Sequence, residues 1–330
     1  MVERLAQVVL ATGEKVESGV VIGPDAEWAE RMARLLGHKG EPWNWQNHEV
    51  LRADVGIGIR FYVLHRGGMP FANMMVAELS GVGILAHVWT VPQDREKGAC
   101  SELLRLLLED FKSRNGKALF LFTRFGSVAY RIYERSGFRG VESGSGFMDW
   151  CATSGEEFES AYFKKGKTAI EPLGWTHWPS SPALFMGGFP GVVRCAPLKL
   201  IGRRSTQAPF LQLLWDQARL PGARPQALVL RSEATTAVVG FAAWAWHPLW
   251  EDTCVVDVYC HPDYWDEAGE LLASLPLPEA DRTLAYGEVD FGEKAGVLLA
   301  QGFKQTAVLE GRVPTKHGSN ENSSPRLFAT

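Results

Sequence analysis

Apolar residues recur at helical intervals over residues 26–36 (Trp28, Met32, Leu35, Leu36) directly after Asp25, so the spacing predicts a helix with Asp25 as its N-cap. Residues 59–64 and 71–79 are β-rich runs on either side of Gly67-Gly68 and predict a strand hairpin. Residues 83–91 predict a third strand, ended by Pro92, which has no N–H for a central ladder. Leu103, Leu104, Leu107 and Phe111 keep one helical face between Gly98 and Asn115, and Asn115-Gly116 supplies the stop. A buried strand is expected at 118–122, a short helix at 127–136 ended by Gly137, and two more strands near 138–142 and 147–151.

The same succession returns later. Strands are expected at 227–231, 237–246 and 253–259, then a helix through Leu271 and Leu272, a strand at 283–286, and a helix ending at Gln301-Gly302-Phe303. Between them, from about Thr153 to Arg203, the composition turns to Gly, Pro, Trp and Lys and the periods fade. The expected layout is a first domain at 1–155, a linker and start of a second module at 156–203, the second module at 204–315, and a disordered Asn- and Ser-rich tail at 316–330.

The chain has 330 residues and a 46% apolar content, enough for two globular domains. Its net charge of −4, with the signs interspersed, offers no basic stripe for phosphates, so no nucleic-acid partner is expected. The start has an apolar run too short for a signal-peptide core, and the longest apolar stretch, 237–246, falls short of the roughly 20 residues that span a bilayer, so no membrane is expected. Five cysteines, an odd number without a C-x-x-C pair, argue against a disulfide framework and suit a reducing cytoplasm. Cys254, Cys260 and His261 lack a second ligand pair at zinc spacing, so buried thiols and no metal are expected.

Pro92-Gln93-Asp94-Arg95-Glu96-Lys97-Gly98-Ala99-Cys100-Ser101-Glu102-Leu103-Leu104 follows a strand and opens a helix. Such a loop presents unpaired N–H groups and a positive dipole end, both suited to a pyrophosphate. Gly98 allows close backbone approach, and Arg95 and Lys97 add positive charge. The stretch resembles motif A of the GNAT N-acetyltransferases, Arg or Gln, two residues, Gly, one residue, then Gly or Ala, with Cys100 at the last position. A second block, Ala129-Tyr130-Arg131-Ile132-Tyr133-Glu134-Arg135-Ser136-Gly137-Phe138, is similar to the family's fourth helix; Gly126 stands where the family often has Asn.

The resemblance implies an α+β or α/β fold of two GNAT-like modules, each a mixed, mainly antiparallel sheet flanked by helices, with acetyl-CoA as co-substrate. It implies that Arg95, Glu96, Lys97, Gly98, Ala99, Cys100 and Ser101 hold the pyrophosphate. Backbone groups of Trp89, Thr90 and Val91 would bond the acetyl carbonyl and pantetheine arm, with Ser127, Tyr130 and Tyr133 completing the cofactor site. Tyr133 would protonate the departing CoA thiolate; its bland reading is an aromatic packed on the sheet, and Tyr130 could fill either role. The family's side-chain bases fall at Ala86 and Ile84, which accept no proton. His87 is adjacent and reaches the acceptor side only through a bulge of the kind typical of the family, its other reading being a satisfied core histidine. Glu78, Glu41 and His48 are further candidates for the base. Trp43, Trp45, Trp89 and Phe61 are candidates to line an apolar or aromatic acceptor pocket.

Matching Gly302-Phe303 to Gly137-Phe138 puts Leu298 where Tyr133 stands, and His261-Pro262-Asp263-Tyr264-Trp265-Asp266-Glu267 where the phosphate loop would be. Negative charge there would repel a pyrophosphate, so the second module is expected to be degenerate and not to bind CoA. Trp175, His177 and Trp178 either reach the acceptor site or cap the second core. The expected activity is direct acetyl transfer in a ternary complex to a primary amine of a small molecule, by a monomer or homodimer. The alternatives are a peptide or protein acceptor and a noncatalytic acyl-CoA-binding protein.

Overall fold

Near-continuous burial along residues 58–90, covered on both faces, marks three long antiparallel strands at the centre of the first of two units in a computed structural model of the chain. Residues 2–220, 222, 226–309, 313–314, 320–321 and 325–330 are described. One unit comprises Met1–Gly140 with Met148–Phe158, the other Val141–Phe147 with Glu159–Thr330.

The first unit runs β1 (Val2–Arg4), β2 (Val8–Val9), β3 (Lys15–Ile22), α1 (Ala26–Leu36), α2 (Trp43–Arg52), β4 (Gly58–Arg66), β5 (Met69–Leu79), β6 (Val82–Thr90), α3 (Ala99–Ser113), β7 (Ala118–Phe122), α4 (Val128–Arg135), β8 (Arg139–Gly140) and β9 (Phe147–Cys151). Its sheet is ordered β1-β3-β4-β5-β6-β7-β9-β8, with β2 on β3. The β6–β7 pair is parallel, and β3, β4, β5 and β6 are joined in antiparallel succession. Asp25 caps α1 as expected, accepting from Trp28 N–H at 3.1 Å. α3 ends where Asn115 turns left-handed, and Gly116 follows because a Cβ there would meet the Phe111 ring at 2.3 Å.

Period-2 alternation sorts the sheet's two faces. Tyr62, Leu64, Met74, Val76 and Leu85 share a core with Leu103, Leu104, Leu107 and Phe111 of α3 and with Tyr130 and Tyr133 of α4. The opposite face lies under α1 and α2, which bury Trp28, Met32 and Leu35, and Gln46, Asn47 and Val50. α2 was not among the expected elements. Its signal was the i, i+3, i+4, i+7 set Trp43, Gln46, Asn47 and Val50, obscured because two of the helix's four buried residues, Gln46 and Asn47 beside Val50 and Leu51, are polar.

α5 (Gly155–Tyr162) crosses the division at Phe158/Glu159. The second unit continues through β10 (Thr168–Pro172), α6 (Ser181–Met186), β11 (Val193–Cys195), β12 (Leu200–Ile201), α7 (Gln207–Arg219), β13 (Ala227–Ser232), β14 (Val238–Trp246), β15 (Thr253–Cys260), α8 (Ala268–Ala273), β16 (Arg282–Glu288), α9 (Gly292–Ala300), β17 (Lys304–Val308), β18 (Val313–Pro314), β19 (Asn320–Glu321) and β20 (Pro325–Ala329). Its main sheet is ordered β10-β13-β14-β15-β16-β20-β17, again with one parallel pair, β15–β16. β10, in the stretch expected to be a linker, is therefore an edge strand of this sheet, paired with β13.

The tail expected to be disordered is corrected in part. β20 lies between β16 and β17, with Phe328 fully buried. The Asn and Ser around it hid a three-residue apolar signal, Leu327-Phe328-Ala329 beside Arg326. Residues 316–319 and 322–324 of that stretch lie outside the described residues.

Candidate functional site

β6 carries an irregularity that decides the site. On β5, Asn73 faces Trp89 and Met75 faces Ala86, so two steps on β5 are matched by three on β6. The extra residue is absorbed at His87, whose φ is +51°. The bulge turns His87 and Trp89 to the α2 side: Trp89 sits opposite Asn73, and Asn73 Nδ2 donates to the His87 carbonyl at 2.9 Å. Pairing with β7 stops at Ile84–Phe120, so β6 and β7 diverge beyond it.

The loop from Val91 to Gly98 then feeds α3. Glu96 and Gly98 are left-handed, with φ of +62° and +83°, and Gly98 is the N-cap. The N–H groups of Ala99, Cys100 and Ser101 precede the first intrahelical bond, from Glu102 N–H to Gly98 O at 3.1 Å. They form a place for an anion at the positive end of a four-turn helix.

The side chains of the loop do something other than expected. Lys97 Nζ donates to Asp94 at 3.0 Å, and Arg66 bridges Asp94 and Glu14 at 2.7 to 3.0 Å. The hydrogen bonds from Arg66, then Lys97, hold the buried Asp94 carboxyl at about 2. Arg95 folds back over Trp89, donating to the Thr90 carbonyl at 3.1 Å. The charge of Lys97 is thus neutralised by Asp94 and that of Arg95 turned to Trp89, so the first turn of α3 offers its backbone N–H groups without these two side chains. Val91 is corrected as well: its N–H donates to Phe71 O at 2.9 Å and its carbonyl accepts from Asp94 N–H at 3.0 Å.

Tyr133 is buried, its ring edge-on to Phe138 at 5.7 Å, and shares the α3-side core with Ala99 and the partly buried Val88, Val91 and Cys100. Among the described residues no group hydrogen-bonds its hydroxyl. Burial, and then the neighbouring Cys100, push its pKa well above the ordinary phenol range; burial alone lifts Cys100 to about 11. Tyr130 is buried against Phe125, 5.1 Å between ring centres. Ser127, expected at the cofactor, is the N-cap of α4, its Oγ accepting from Tyr130 N–H at 3.1 Å.

The base candidates separate cleanly. Glu78 is excluded by position: it lies five residues along β5 from Asn73, roughly 16 Å at strand rise, on the α3 face, where Arg114 pairs with it and Arg60 lies at 3.8 Å. His87 is on the α2 side, but Gln46 Oε1 lies 2.5 Å from its Nε2, and Gln46 is oriented by its own amide donating to Met75 Sδ at 3.5 Å. Burial first, then Lys39 and His38, lower the His87 pKa to about 3, which makes it a neutral ring and a feeble base. Glu41 is occupied capping Trp45 N–H at 2.8 Å, and His48 is exposed beside Glu49. Trp43 packs edge-on to His87 at 5.5 Å, whereas Phe61 is fully buried core and Trp45 is half-buried.

In the second unit β15 and β16 also part, after Val256–Ala285, but here β11 lies against both. Ala196 N–H donates to Asp257 at 2.7 Å, Val193 N–H to Glu288, and Lys294 reaches both Asp257, at 2.8 Å, and the Val193 carbonyl. Leu298 is fully buried, and Asp266 and Glu267 pair with Lys165. Trp178 is fully buried and His177 bonds Glu171 at 3.0 Å, both within this unit. Cys195, Cys254 and Cys260 are free, buried thiols. Among the described residues no cluster of three or more His, Cys, Asp or Glu could hold a metal, and no helix is long and apolar enough to cross a membrane.

No family model matches the sequence, and no curated protein matches it. Solved structures do. One is an acetyltransferase of the GNAT family from Bacillus anthracis, at 15% identity and a TM-score of 0.35 over 51% of this chain and 96% of that one. Another is a ribosomal-protein-alanine N-acetyltransferase from Brucella melitensis, at 18% and 0.38 over 49% and 98%. A third is yncA, a putative acetyltransferase from Salmonella typhimurium with its cofactor acetyl-CoA, at 18% and 0.38 over 50% and 94%. Each spans about half of this chain, which is a mixed α/β protein of mainly antiparallel sheets flanked by helices.

Proposed function

We propose that the first unit is an acetyl-CoA-dependent N-acetyltransferase acting on a primary amine of a small molecule. The observation that carries this reading is the diverging β6–β7 pair, with a bulge at His87 on one side and the free first turn of α3 beside an unbonded Tyr133 hydroxyl on the other. The N–H groups of Ala99 to Ser101 hold the pyrophosphate, and Gly98 gives the loop the left-handed step it needs. The neutral amine attacks the thioester carbonyl, the C–S bond breaks, and Tyr133 gives its proton to the leaving thiolate. With Glu78 turned away and His87 a feeble base bound to Gln46, the amine loses its proton to water rather than to either side chain.

The second unit is read as a noncatalytic copy whose equivalent cleft is closed by its own β11. The chain is read as cytoplasmic. A noncatalytic acyl-CoA-binding role for the first unit is the second reading, favoured because neither Glu78, paired with Arg114, nor His87, bound to Gln46, is placed to serve as the general base. Calorimetric titration of acetyl-CoA into the wild type and Gly98→Glu, followed by thiol release with an amine panel, separates them. Binding lost in Gly98→Glu together with turnover supports transfer; binding without turnover supports the second reading; no binding to the wild type overturns both.

A further inference from the structure

The side chain of Trp89 is flanked by two cations and a histidine ring. The His38 ring lies 4.0 Å from it between centres, Lys39 Nζ stands 5.4 Å over it and Arg95 Cζ 4.6 Å. Elsewhere in this unit cations near the sheet find carboxylates: Arg66 and Lys97 with Asp94, Arg114 with Asp110 and Glu78. Among the described residues neither Lys39 nor Arg95 has one. Lys39 is half-buried, and burial pulls its pKa below the ordinary lysine value, the mark of a charge removed from water without a partner. The π face of one indole offsets only part of that cost. Glu41, two residues on, is bound to Trp45 N–H instead. Beside Gln46, α2 also buries Asn47 with neither amide atom bonded, and Asn73 Oδ1 across from Trp89 is likewise unpartnered.

We infer that the acceptor is an amine that also bears an anionic group, a carboxylate or a phosphate, held by Lys39, Arg95 and His38 against Trp89. This rests on the reading of the first unit as an acetyltransferase and narrows its substrate class. A polycationic amine would meet two like charges there, Lys39 and Arg95, and a neutral one would leave Lys39 uncompensated. Lys39 is the residue that sets the preference, because it is the half-buried one.

The test uses the full chain, acetyl-CoA and matched acceptors: amino acids beside their carboxamides, and phosphoethanolamine beside ethanolamine. The anionic member of a pair is expected to show the lower KM, and the pair that shows it tells carboxylate from phosphate. Lys39→Gln should raise that KM by about tenfold or more, with a much smaller effect on the KM of the neutral member, and be rescued in part by Lys39→Arg. Equal KM within every pair, or a Lys39→Gln loss shared by both members, overturns the inference while acetyl transfer stands. Failure of acetyl-CoA to bind at all overturns transfer, and the inference with it.

Discussion

A phenol kept from water and given no acceptor holds its proton to unusually high pH, and Tyr133 is in that state. Tyr133→Phe is expected to lower kcat about a hundredfold with acetyl-CoA affinity kept. Because the pKa is raised, the proton stays on through neutral and mildly alkaline pH, so kcat should show no falling limb below about pH 10. A limb near pH 8 in a kcat profile that vanishes in Tyr133→Phe would contradict this placement. Tyr133 was legible because its flanking Ala129 and Gly137-Phe138 are local in sequence. Glu78 and His87 were not separable in the same way. Alternation is a two-residue rule that would put His87 on the α3 face with Glu78, and the one residue inserted at the bulge turns His87, but not Glu78, to α2.

At the scale of elements, the loop before α3 is tied to β4 by the bonds of Asp94 to Arg66 and closed on itself by the bond of Asp94 to Lys97. Asp94→Asn removes the carboxylate that both Arg66 and Lys97 bind, and is expected to cost roughly 1–2 kcal/mol after solvent screening of the exposed partners. Thermal melts and acetyl-CoA titration would register it together. The pH dependence has a definite sign: the Asp94 pKa is depressed from 3.8 to about 2, so its contribution is complete above pH 3.8 and disappears as pH falls toward 2. A melt insensitive to acid through that window would contradict the role. The backbone half of this loop was readable from Pro92, Gly98 and the leucines of α3. The electrostatic half was not, since Arg66 and Glu14 come from strand and turn positions that only tertiary pairing brings to Asp94.

At the scale of the whole molecule, the two sheets share a plan: antiparallel strands, a parallel neighbour after a helix, then an outer strand separated from it by the strand that follows. In the second unit the buried charges Lys294 and Asp257 hold β11 in the opening. Burial pushes Asp257 up and Lys294 draws it back. Lys294→Met should destabilise the second unit by about 3–5 kcal/mol, and the double variant with Asp257→Leu should recover much of it. Denaturant unfolding in which the double variant is no better than the single would refute the pairing as the reason. Phe328→Asp, which places a charge in the second core, should loosen the amides of β16 and β17 in hydrogen exchange and leave β4 and β5 protected. Equal loss of protection in β4 and β5 would show that β20 supports more than its own sheet.

The order of strands also constrains how each sheet can be assembled in time. β8 touches the sheet through β9, and β17 through β20, so in both units an outer strand is synthesised before the strand that attaches it. Neither edge can zip on sequentially. Each must wait, or dock early in a wrong register against β7 or β16 and then yield its place. That makes insertion of β9 and of β20 the step where a slow folding phase, or a trapped intermediate lacking one strand, is expected.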